Sequence, residues 1–470
     1  FFRLGYLNMK YHLFTFGCQM NKNDSERISG LLLDLGFSET VEPKAADLII
    51  LNTCSVRQAS EDRIYGLMNN FNKIKKERPD LVIVVTGCMA GRDKDGKIQS
   101  RMPGVDIFLP TERIMELPGL LASRFSSPRK GASGLQRRAD GRGLEDNNLP
   151  PPLHSSLARK ASSKEGRHDD FFDITPKYSS PSQAFVTIQT GCEEYCTYCV
   201  VPSARGKIKN RPLKDILNEI KNLADRGCAE IMLLGQIVNA WESGDVENFS
   251  PANPFVIPTR ATEVSEAEES LKKTLKGSLG SARDDNSRNC HFAALLWEIN
   301  QIPGIRRLNF MSAHPRYMTD EVIDALKLPV HVNFIHLPVQ SGSDKILQKM
   351  NRRYTAEKYL GIVKKICIAK PDIALATDII VGFPGETEKD FEDTVELYKK
   401  CDFDLAYLAK YSPRSGTPAA RALKDDVPKE EKERRWRVLQ DLMEETVLRK
   451  NQKYLGQVVE VLVEGFAKEK

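Results

Sequence analysis

Residues 190–202 read Thr-Gly-Cys-Glu-Glu-Tyr-Cys-Thr-Tyr-Cys-Val-Val-Pro. Three cysteines in this stretch are separated by three and then two residues, and we call Cys192, Cys196 and Cys199 the loop triad. The spacing brings three soft thiolates close together, which suits a cubane iron–sulfur cluster. A cubane has four irons, so three thiolates leave one iron open to chelate a substrate or a cofactor. The alternatives are a zinc knuckle or three buried thiols, but zinc would need a fourth Cys or His close by, and the neighbouring sequence has none.

Composition limits the class of protein. The 470 residues suggest about two to four domains. With 41% apolar residues and no apolar run as long as a membrane helix, the sequence argues against a membrane protein. Ten cysteines without a secretory signal are typical of a reducing compartment, so we expect a cytoplasmic protein. The net charge of +5 is compatible with a polyanionic partner. We expect Met9 to be the natural start and leave the leader before it out of the fold prediction.

Residues 9–122 predict a domain built on an open parallel α/β sheet. Three short, β-prone apolar runs alternate with two amphipathic helical patterns. Successive strands of this kind lie parallel, with helices on the faces of the sheet. The predicted strands are 11–16, 47–52 and 81–86, and the predicted helices are 25–35 and 59–76.

Each predicted strand of this domain is followed by a cysteine. Cys18, Cys54 and Cys88, which we call the edge triad, recur after 36 and then 34 residues. This is about the length of a βαβ unit. The carboxyl ends of parallel strands share one edge of the sheet, where ligands bind, so the three thiols should converge there. Convergence predicts a second cubane cluster with one open iron. The alternative is that free cysteines are simply common in protein cores.

Three blocks around the edge triad resemble the radical S-adenosylmethionine methylthiotransferase family. They are Phe16-Gly17-Cys18-Gln19-Met20-Asn21, Leu51-Asn52-Thr53-Cys54-Ser55-Val56-Arg57 and Thr86-Gly87-Cys88-Met89-Ala90. The loop triad likewise resembles the catalytic cluster loop of radical S-adenosylmethionine enzymes, whose open iron takes the amino and carboxylate groups of that cofactor and drives its reductive cleavage. The resemblance implies two 4Fe-4S clusters, the auxiliary one on the edge triad, and S-adenosyl-L-methionine as cofactor.

Residues 183–427 predict a partial TIM-like (βα)6 barrel, because six strand patterns alternate with helical ones. The predicted strands are 184–190, 230–234, 307–311, 334–339, 374–381 and 405–411, and the predicted helices are 213–225, 292–300, 319–326, 355–368 and 389–399. The loop triad follows the first strand, at the carboxyl end where barrel active sites are built. Turns after the second and fifth strands occupy positions where the resemblance places the cofactor, and glycine lets a backbone approach a nucleoside closely. The candidate cofactor-binding residues are Gly235, Gln236, Gly382, Pro384, Gly385 and Glu386.

Other polar residues near predicted strand ends allow more than one interpretation. Arg205 and Arg352 could hold a carboxylate or a phosphate through guanidinium forks. A lone histidine such as His314 is more often a satisfied hydrogen-bond partner than an acid or a base. Three further cysteines are predicted to be core or surface thiols, namely Cys228, Cys367 and Cys401.

Three segments fall outside the two main domains. Residues 123–182 are rich in Arg, Lys, Ser, Gly and Pro and are predicted to be a disordered linker. Residues 242–289 are an acidic, Ser-rich and Lys-rich insertion in a βα loop, also predicted to be disordered, so Cys290 is not expected to be a ligand. Residues 428–453 predict a helix. Residues 454–470 begin like the first strand of a TRAM module, a small β-barrel that grips RNA, which predicts a truncated module.

The turn after the second barrel strand bears on the substrate. Residues 235–241 are similar to the Gly-Gln-Asn-Val-Asn-Ser-Tyr block of MiaB-type tRNA enzymes and depart from it at Ile237, Ala240 and Trp241. The similarity favours isopentenylated adenosine in tRNA over threonylcarbamoylated adenosine in tRNA or an aspartate of a ribosomal protein. We expect a monomer whose partners are tRNA carrying isopentenyladenosine and an electron donor such as a flavodoxin-type reductant. The rival from another class is a noncatalytic iron–sulfur protein that binds RNA or transfers electrons.

Overall fold

The computed structural model describes residue 6 and residues 8–55, 58–126, 171–246 and 290–463. In the described part of the first domain, five parallel strands form one sheet in the order β2-β1-β3-β4-β5. They are β1 (Lys10–Thr15), β2 (Ser38–Glu39), β3 (Leu48–Thr53), β4 (Val82–Gly87) and β5 (Ile107–Leu109). Every residue of β3 and β4 is buried, as expected for central strands of a parallel sheet that is covered on both faces.

Helices cover the two faces of this sheet. They are α1 (Gln19–Asp34), α2 (Gln58–Glu77), α3 (Cys88–Arg92), α4 (Lys97–Ser100) and α5 (Leu117–Ser126). Ile28 of α1 packs in one apolar cluster with Leu117 of α5, whereas Ile64 and Met68 of α2 belong to a second cluster. The predicted open parallel α/β sheet is confirmed.

Two local features of this domain differ from the prediction. Helix α1 begins at Gln19 rather than at residue 25, because the Asn21 side chain accepts a hydrogen bond from the backbone nitrogen of Cys18 and closes the first turn. Strands β2 and β5 were not predicted, because segments of two and three residues carry too little alternation to be recognised.

Residues 171–182 pack against the first domain and do not behave as the predicted linker. Phe171 and Ile174 are buried in the apolar cluster of α1. Arg27 Nη1 donates a hydrogen bond of 2.6 Å to the carbonyl oxygen of Ile174. At the other end of the predicted linker, residues 123–126 complete α5. Both predicted boundaries are therefore corrected, and residues 127–170 lie outside the described residues.

In the described residues 183–246 and 290–427, six parallel strands build a partial barrel, and a short antiparallel pair, β7 and β8, follows the first of them. The strands are β6 (Gln183–Thr187), β7 (Gln189–Thr190), β8 (Lys209–Asn210), β9 (Glu230–Leu234), β10 (Arg307–Phe310), β11 (Phe334–His336), β12 (Ala374–Val381) and β13 (Leu405–Lys410). The barrel strands form two sheets, β10-β9-β6 and β11-β12-β13. A parallel bridge between Leu308 and His331 joins the two sheets. The predicted (βα)6 architecture is confirmed.

Among the described helices of this domain, five lie close to their predicted positions, and three short ones, at residues 201–205, 344–349 and 418–422, were not predicted. In chain order the helices are α6 (Val201–Arg205), α7 (Leu213–Asp225), α8 (Cys290–Asn300), α9 (Asp320–Ala325), α10 (Asp344–Lys349), α11 (Ala356–Ala369), α12 (Glu388–Cys401) and α13 (Pro418–Ala422). The predicted insertion starts too early, because Val246 is buried in the barrel core and Ser243 Oγ accepts a hydrogen bond from the backbone nitrogen of Leu213 at 3.2 Å. Residues 247–289 lie outside the described residues.

The C-terminal part contains the predicted helix but not the predicted strand. Helix α14 (Lys429–Asn451) packs along β13, and Trp436 Nε1 donates to the carbonyl oxygen of Leu408 at 3.2 Å. Residues 456–463 form no strand, and the side chains of Val458 and Val461 are exposed. A β-strand needs a hydrogen-bonding neighbour, and among the described residues this segment forms a backbone ladder with no other strand. Residues 464–470 lie outside them.

Candidate functional site

The loop triad lies between β7 and β8, at the carboxyl end of the barrel. Cys192 and Cys196 are buried and Cys199 is partly buried. Burial raises the pKa of Cys192 to about 11 and that of Cys199 to about 12, and the neighbouring thiols of the triad act in the same direction. These thiols are therefore protonated at neutral pH in the chain without metal. A metal that binds them has to displace the protons.

The end of α10 and the turn after it hold this loop in place. Thr197 Oγ1 donates to the carbonyl oxygen of Lys349 at 2.8 Å. Asn351 Nδ2 donates to the carbonyl oxygens of Glu194 and Tyr195 at 3.0 and 3.1 Å. Tyr195 (φ 50°) and Asn351 (φ 57°) both have left-handed backbones, a costly conformation that is concentrated at functional sites. No sequence pattern pointed to these contacts, except that asparagine tolerates the left-handed region.

Arg352 lies against the loop triad. Its Nη1 donates to Cys196 Sγ at 3.4 Å, its Nη2 to the carbonyl oxygen of Pro338 at 3.1 Å, and its Nε to Tyr354 Oη at 2.9 Å. The guanidinium is buried, so its donors serve the chain itself rather than the carboxylate or phosphate suggested by the sequence. A buried cation beside thiolates stabilises their charged, metal-binding form.

The edge triad lies where β1, β3 and β4 end. Cys18 is exposed, whereas Cys54 and Cys88 are buried. Burial raises the pKa of Cys88 to about 11; Arg205 opposes this shift, and the nearby Cys54 and Cys18 add to it. At Gly17 (φ 140°) an added Cβ would lie 2.8 Å from the Cβ of Cys54, so the turn after β1 approaches the end of β3 only because this residue has no side chain. The structure thus brings together three thiols that are far apart in sequence.

The edge triad faces the barrel across the interface between the domains. Arg205, the last residue of α6, donates from Nε to Cys88 Sγ at 3.2 Å and pairs through Nη2 with Asp24 of α1 at 2.5 Å. The backbones of helices α3 and α6 lie in close contact. The approach at Gly91 is so close that a methyl group added there would overlap the carbonyl oxygen of Ala204. The sequence did not identify Arg205 as a bridge between the domains.

A second arginine joins the same two edges. Arg414, which follows β13, donates to the carbonyl oxygen of Ser55 and pairs with Glu61 of α2 at 2.8 Å. Ser55 is the residue after Cys54. The carboxyl edge of the first sheet and the carboxyl end of the barrel therefore face each other, and each carries one triad.

Both triads fit an iron–sulfur cluster by the chemistry of their donors. Each has three thiols, at least two of them buried, and each has a buried arginine that donates to one sulfur, as hydrogen bonds to cluster sulfurs do. Within the described ranges, no three Cys, His, Asp or Glu side chains already stand in the arrangement of a bound metal ion. The closeness of the thiols in each triad is therefore indicated by the way neighbouring thiols raise one another's pKa, together with the contacts described above.

Polar atoms without protein partners lie in the loops that follow β7, β9 and β10. In the described part of the chain, Gln236 Oε1, His314 Nε2 and Glu194 Oε2 are buried and have no hydrogen-bond partner. His314 Nδ1 accepts from the backbone nitrogen of Arg316 at 3.2 Å, which leaves the ring proton on Nε2. Burial and the nearby Arg352 hold the pKa of His314 well below its ordinary value. A neutral donor and two acceptors are thus available to a polar ligand such as the amino-acid part of S-adenosylmethionine.

The turn after β12 is shaped by its own carboxylate. Glu386 Oε2 accepts from the backbone nitrogen of Gly382 and from Arg435 Nη1 of α14, both at 2.7 Å. Burial raises the pKa of Glu386, and Gly382 and Arg435 oppose the shift. Gly382 (φ 70°) and Gly385 (φ 74°) have left-handed backbones that favour glycine. The predicted cofactor residue Glu386 therefore holds the turn, while Pro384 lies between the two glycines.

Comparison with known proteins connects both domains to one family. Residues 10–110 match the model of the uncharacterized protein family UPF0004, and residues 186–398 match that of the Radical SAM superfamily. The chain is 36% identical over 462 residues to tRNA-2-methylthio-N(6)-dimethylallyladenosine synthase of Neisseria gonorrhoeae, across 98% of this chain and 89% of that protein. The chain belongs to this synthase family. The protein of the same name from Clostridium botulinum is 38% identical over 461 residues, across 98% of this chain and 87% of that protein.

Membership of the synthase family and of the Radical SAM superfamily establishes an enzyme that uses S-adenosylmethionine and iron–sulfur chemistry, which rules against the noncatalytic rival. Among solved structures, the radical S-adenosylmethionine methyltransferase TsrM of Kitasatospora setae matches with a TM-score of 0.52 and 14% identity, over 88% of this chain and 77% of that one. At that identity the match supports the fold alone. The described helices include none that is both long and apolar enough to cross a membrane.

The departures from the synthase block after β9 are packing residues. Trp241 is fully buried and its Nε1 donates to the carbonyl oxygen of Arg211 at 3.0 Å. Ile237 is also buried, and Ala240 is half-buried. At Gly235 an added Cβ would lie 3.0 Å from the Cα of Val238, so a side chain at this position would crowd the turn. Ile237 and Trp241 therefore change the core beneath the turn, which weakens them as evidence for another substrate.

Proposed function

We propose that the chain adds a methylthio group to C-2 of N6-isopentenyladenosine in tRNA, next to the anticodon. The observation that carries this proposal is the placement of two thiol triads on facing edges of two domains, with Arg205 reaching from one triad's domain to a sulfur of the other. The relatives that match along almost the whole chain are named for this nucleoside.

In this proposal the loop triad holds the 4Fe-4S cluster that binds S-adenosylmethionine, and the edge triad holds the auxiliary cluster. When bound, these groups supply the radical chemistry that activates an adenine C–H bond, together with the sulfur and methyl group that replace its hydrogen. No acid or base side chain could activate such a bond. The work of the chain is therefore to bind and orient.

Residues of the barrel end orient S-adenosylmethionine in this proposal. The N–H at Nε2 of His314 would be the donor for the carboxylate of the cofactor, and Oε1 of Gln236 would be an acceptor for its amino group, because both atoms are buried and have no partner among the described residues. Gly235 lets the turn that carries Gln236 come close to Val238. The backbone of Gly382, Pro384 and Gly385 approaches the nucleoside, and Glu386 keeps that turn in shape through Arg435.

The choice of substrate and partners completes the proposal. The buried positions of Ile237 and Trp241 remove the main reason to prefer threonylcarbamoyladenosine in tRNA or a ribosomal aspartate. A tRNA that carries isopentenyladenosine binds across the domain interface, and an electron donor such as a flavodoxin-type protein reduces the clusters. The enzyme works as a cytoplasmic monomer.

The test of substrate is mass spectrometry of tRNA nucleosides from cells that lack this protein. Methylthiolated isopentenyladenosine should disappear and its unmodified precursor should accumulate. The unaltered chain should restore the product, whereas Cys192→Ala should not. An unchanged nucleoside pattern would overturn the proposal, and the loss of methylthiolated threonylcarbamoyladenosine instead would assign the chain to the other tRNA substrate.

A further inference from the structure

Arg205 is buried at the interface between the domains. Only 4% of the residue is exposed, and its partner Asp24 is fully buried. The guanidinium divides its donors between an ion pair with Asp24 at 2.5 Å and the Cys88 sulfur at 3.2 Å. An ordinary interdomain ion pair would need only the first contact. The second contact links a residue of the barrel domain to the edge triad.

Helix α6 fixes Arg205 to the loop triad. The helix starts immediately after the cluster loop, and the backbone nitrogen of Val201 donates to Cys199 Sγ at 3.4 Å. At its other end, α6 lies in backbone contact with α3, which begins at Cys88. One short helix therefore contacts a sulfur of each triad, one from its first residue and the other from its last.

The two buried arginines beside the triads differ in whether they belong to the same domain as the cysteine that they contact. Arg352 donates to Cys196 of its own domain, whereas Arg205 donates to a cysteine of the other domain. A hydrogen-bonded cation next to a cluster ligand is among the features by which a protein sets a cluster's reduction potential. Removing it from a buried site matters more than removing it from water, because the local dielectric is low.

We propose that Arg205 is a positioning residue that raises the reduction potential of the auxiliary cluster, so that this cluster reaches its working potential only when the two domains are docked. The inference rests on the proposed function, because it needs a cluster on the edge triad. Reduction adds one negative charge to the cluster, and a cation at hydrogen-bond distance from Cys88 stabilises the reduced form more than the oxidised form. Loss of the cation therefore lowers the potential.

The experiment uses the full chain with Ala at all three positions of the loop triad, so that any cluster signal comes from the edge triad. Arg205→Gln and Arg205→Lys are each titrated electrochemically and followed by electron paramagnetic resonance. For Arg205→Gln we expect the ratio of reduced to oxidised cluster at a fixed potential to fall at least tenfold, about 59 mV for one electron. Arg205→Lys should recover most of this loss, because it keeps the charge.

The matched control is Arg27→Gln in the same background. Arg27 also crosses the interface, where its guanidinium lies 3.3 Å from Glu219 of α7, but it contacts no described thiol. This variant should keep the potential of the background. An equal shift in both Gln variants would overturn the inference, because loosening the interface would then explain it.

The remaining outcomes separate the inference from the proposed function. An unchanged potential in Arg205→Gln, with the cluster present, would overturn the inference alone. Iron content near zero in the background without the loop triad would overturn both. Arg205→Gln leaves the carboxylate of Asp24 without its ion-pair partner. If that variant does not fold for this reason, the double variant Asp24→Asn with Arg205→Gln is used instead, because it removes both charges. The reduction potential of this double variant should still fall, so that the ratio of reduced to oxidised cluster at a fixed potential decreases by less than tenfold. An unchanged potential would again overturn the inference.

Discussion

Gly91→Ala tests whether the close contact of α3 and α6 holds the two triads in register. The added methyl group would lie more than about 1 Å inside ordinary contact distance of the carbonyl oxygen of Ala204. Both sides of this contact are backbone, so no side chain can rotate away. The two helices, and the triads that they adjoin, must therefore move apart or tilt by about 1 Å to relieve the overlap.

The size of the effect follows from this displacement. Overpacking of this kind typically costs about 1–3 kcal/mol of stability, which a chain of this size can tolerate. A misplacement of about 1 Å between reacting groups can cost about 100-fold in rate, equivalent to about 2.7 kcal/mol in the barrier. We expect formation of the methylthiolated nucleoside to fall by this factor. Cleavage of S-adenosylmethionine, which needs only the barrel, should change little.

The assay measures both products in one reaction. Reconstituted protein is reduced in the presence of S-adenosylmethionine and isopentenylated tRNA, and 5'-deoxyadenosine and methylthiolated nucleoside are quantified together. The control is Gly119→Ala in α5, where an added Cβ meets nothing within 4 Å, and both products should stay unchanged. The reasoning is refuted if Gly91→Ala makes both products at the unaltered rate, or if both fall equally while iron is retained.

Three further predictions concern the triads and a buried histidine. Ala at all positions of the loop triad should leave about four irons per chain, the content of one 4Fe-4S cluster, and abolish 5'-deoxyadenosine; iron near zero or near twice that amount would contradict separate clusters. Ala at all positions of the edge triad should leave 5'-deoxyadenosine formation intact and remove methylthiolated nucleoside, provided that circular dichroism shows a folded chain; any methylthiolated product would sink the assignment. Burial lowers the pKa of His331 to about 3. Between this value and the ordinary pKa of histidine, the imidazole is protonated in the unfolded chain but not in the folded chain. Stability is complete above the unfolded pKa of about 6.5 and falls as the pH drops towards 3, by about 2 kcal/mol at pH 5. The free energy of unfolding of the metal-free chain is measured by urea titration at pH 7 and pH 5. In His331→Leu the loss of stability between these two pH values should be smaller by the contribution of His331. An unaltered pH dependence in this variant would contradict the prediction.

The strand ends were predictable because the strands carry strong patterns. The central strands of the first domain have six residues each and the barrel strands have three to eight, and most of these strands are predominantly apolar. Once the strands are placed, parallel topology brings their carboxyl ends to one edge, and the cysteines follow. Phe171 and Ile174 were missed because two apolar positions are hidden by a long stretch of polar and basic residues.

The arginines beside the sulfurs could not be assigned from the sequence. Arg205 lies 117 residues from Cys88, and Arg352 lies 156 residues from Cys196. No local pattern distinguishes an arginine that donates to a buried thiol from one that is solvated. Only the packing of α6 against α3, and of the turn after α10 against the cluster loop, decides which donors reach a sulfur.

Because of the interface around Arg205, neither domain can simply be replaced by the corresponding domain of another protein. A chimaera that takes its first domain from another protein must bring a carboxylate at the position of Asp24 and a residue without a side chain at that of Gly91. A donor lacking the carboxylate leaves a buried charge without its partner, which typically costs about 3–5 kcal/mol. A donor with a side chain at the glycine position holds the domains apart. Grafting within this family therefore has to transfer α1, α3 and α6 as one unit, even though they belong to different domains.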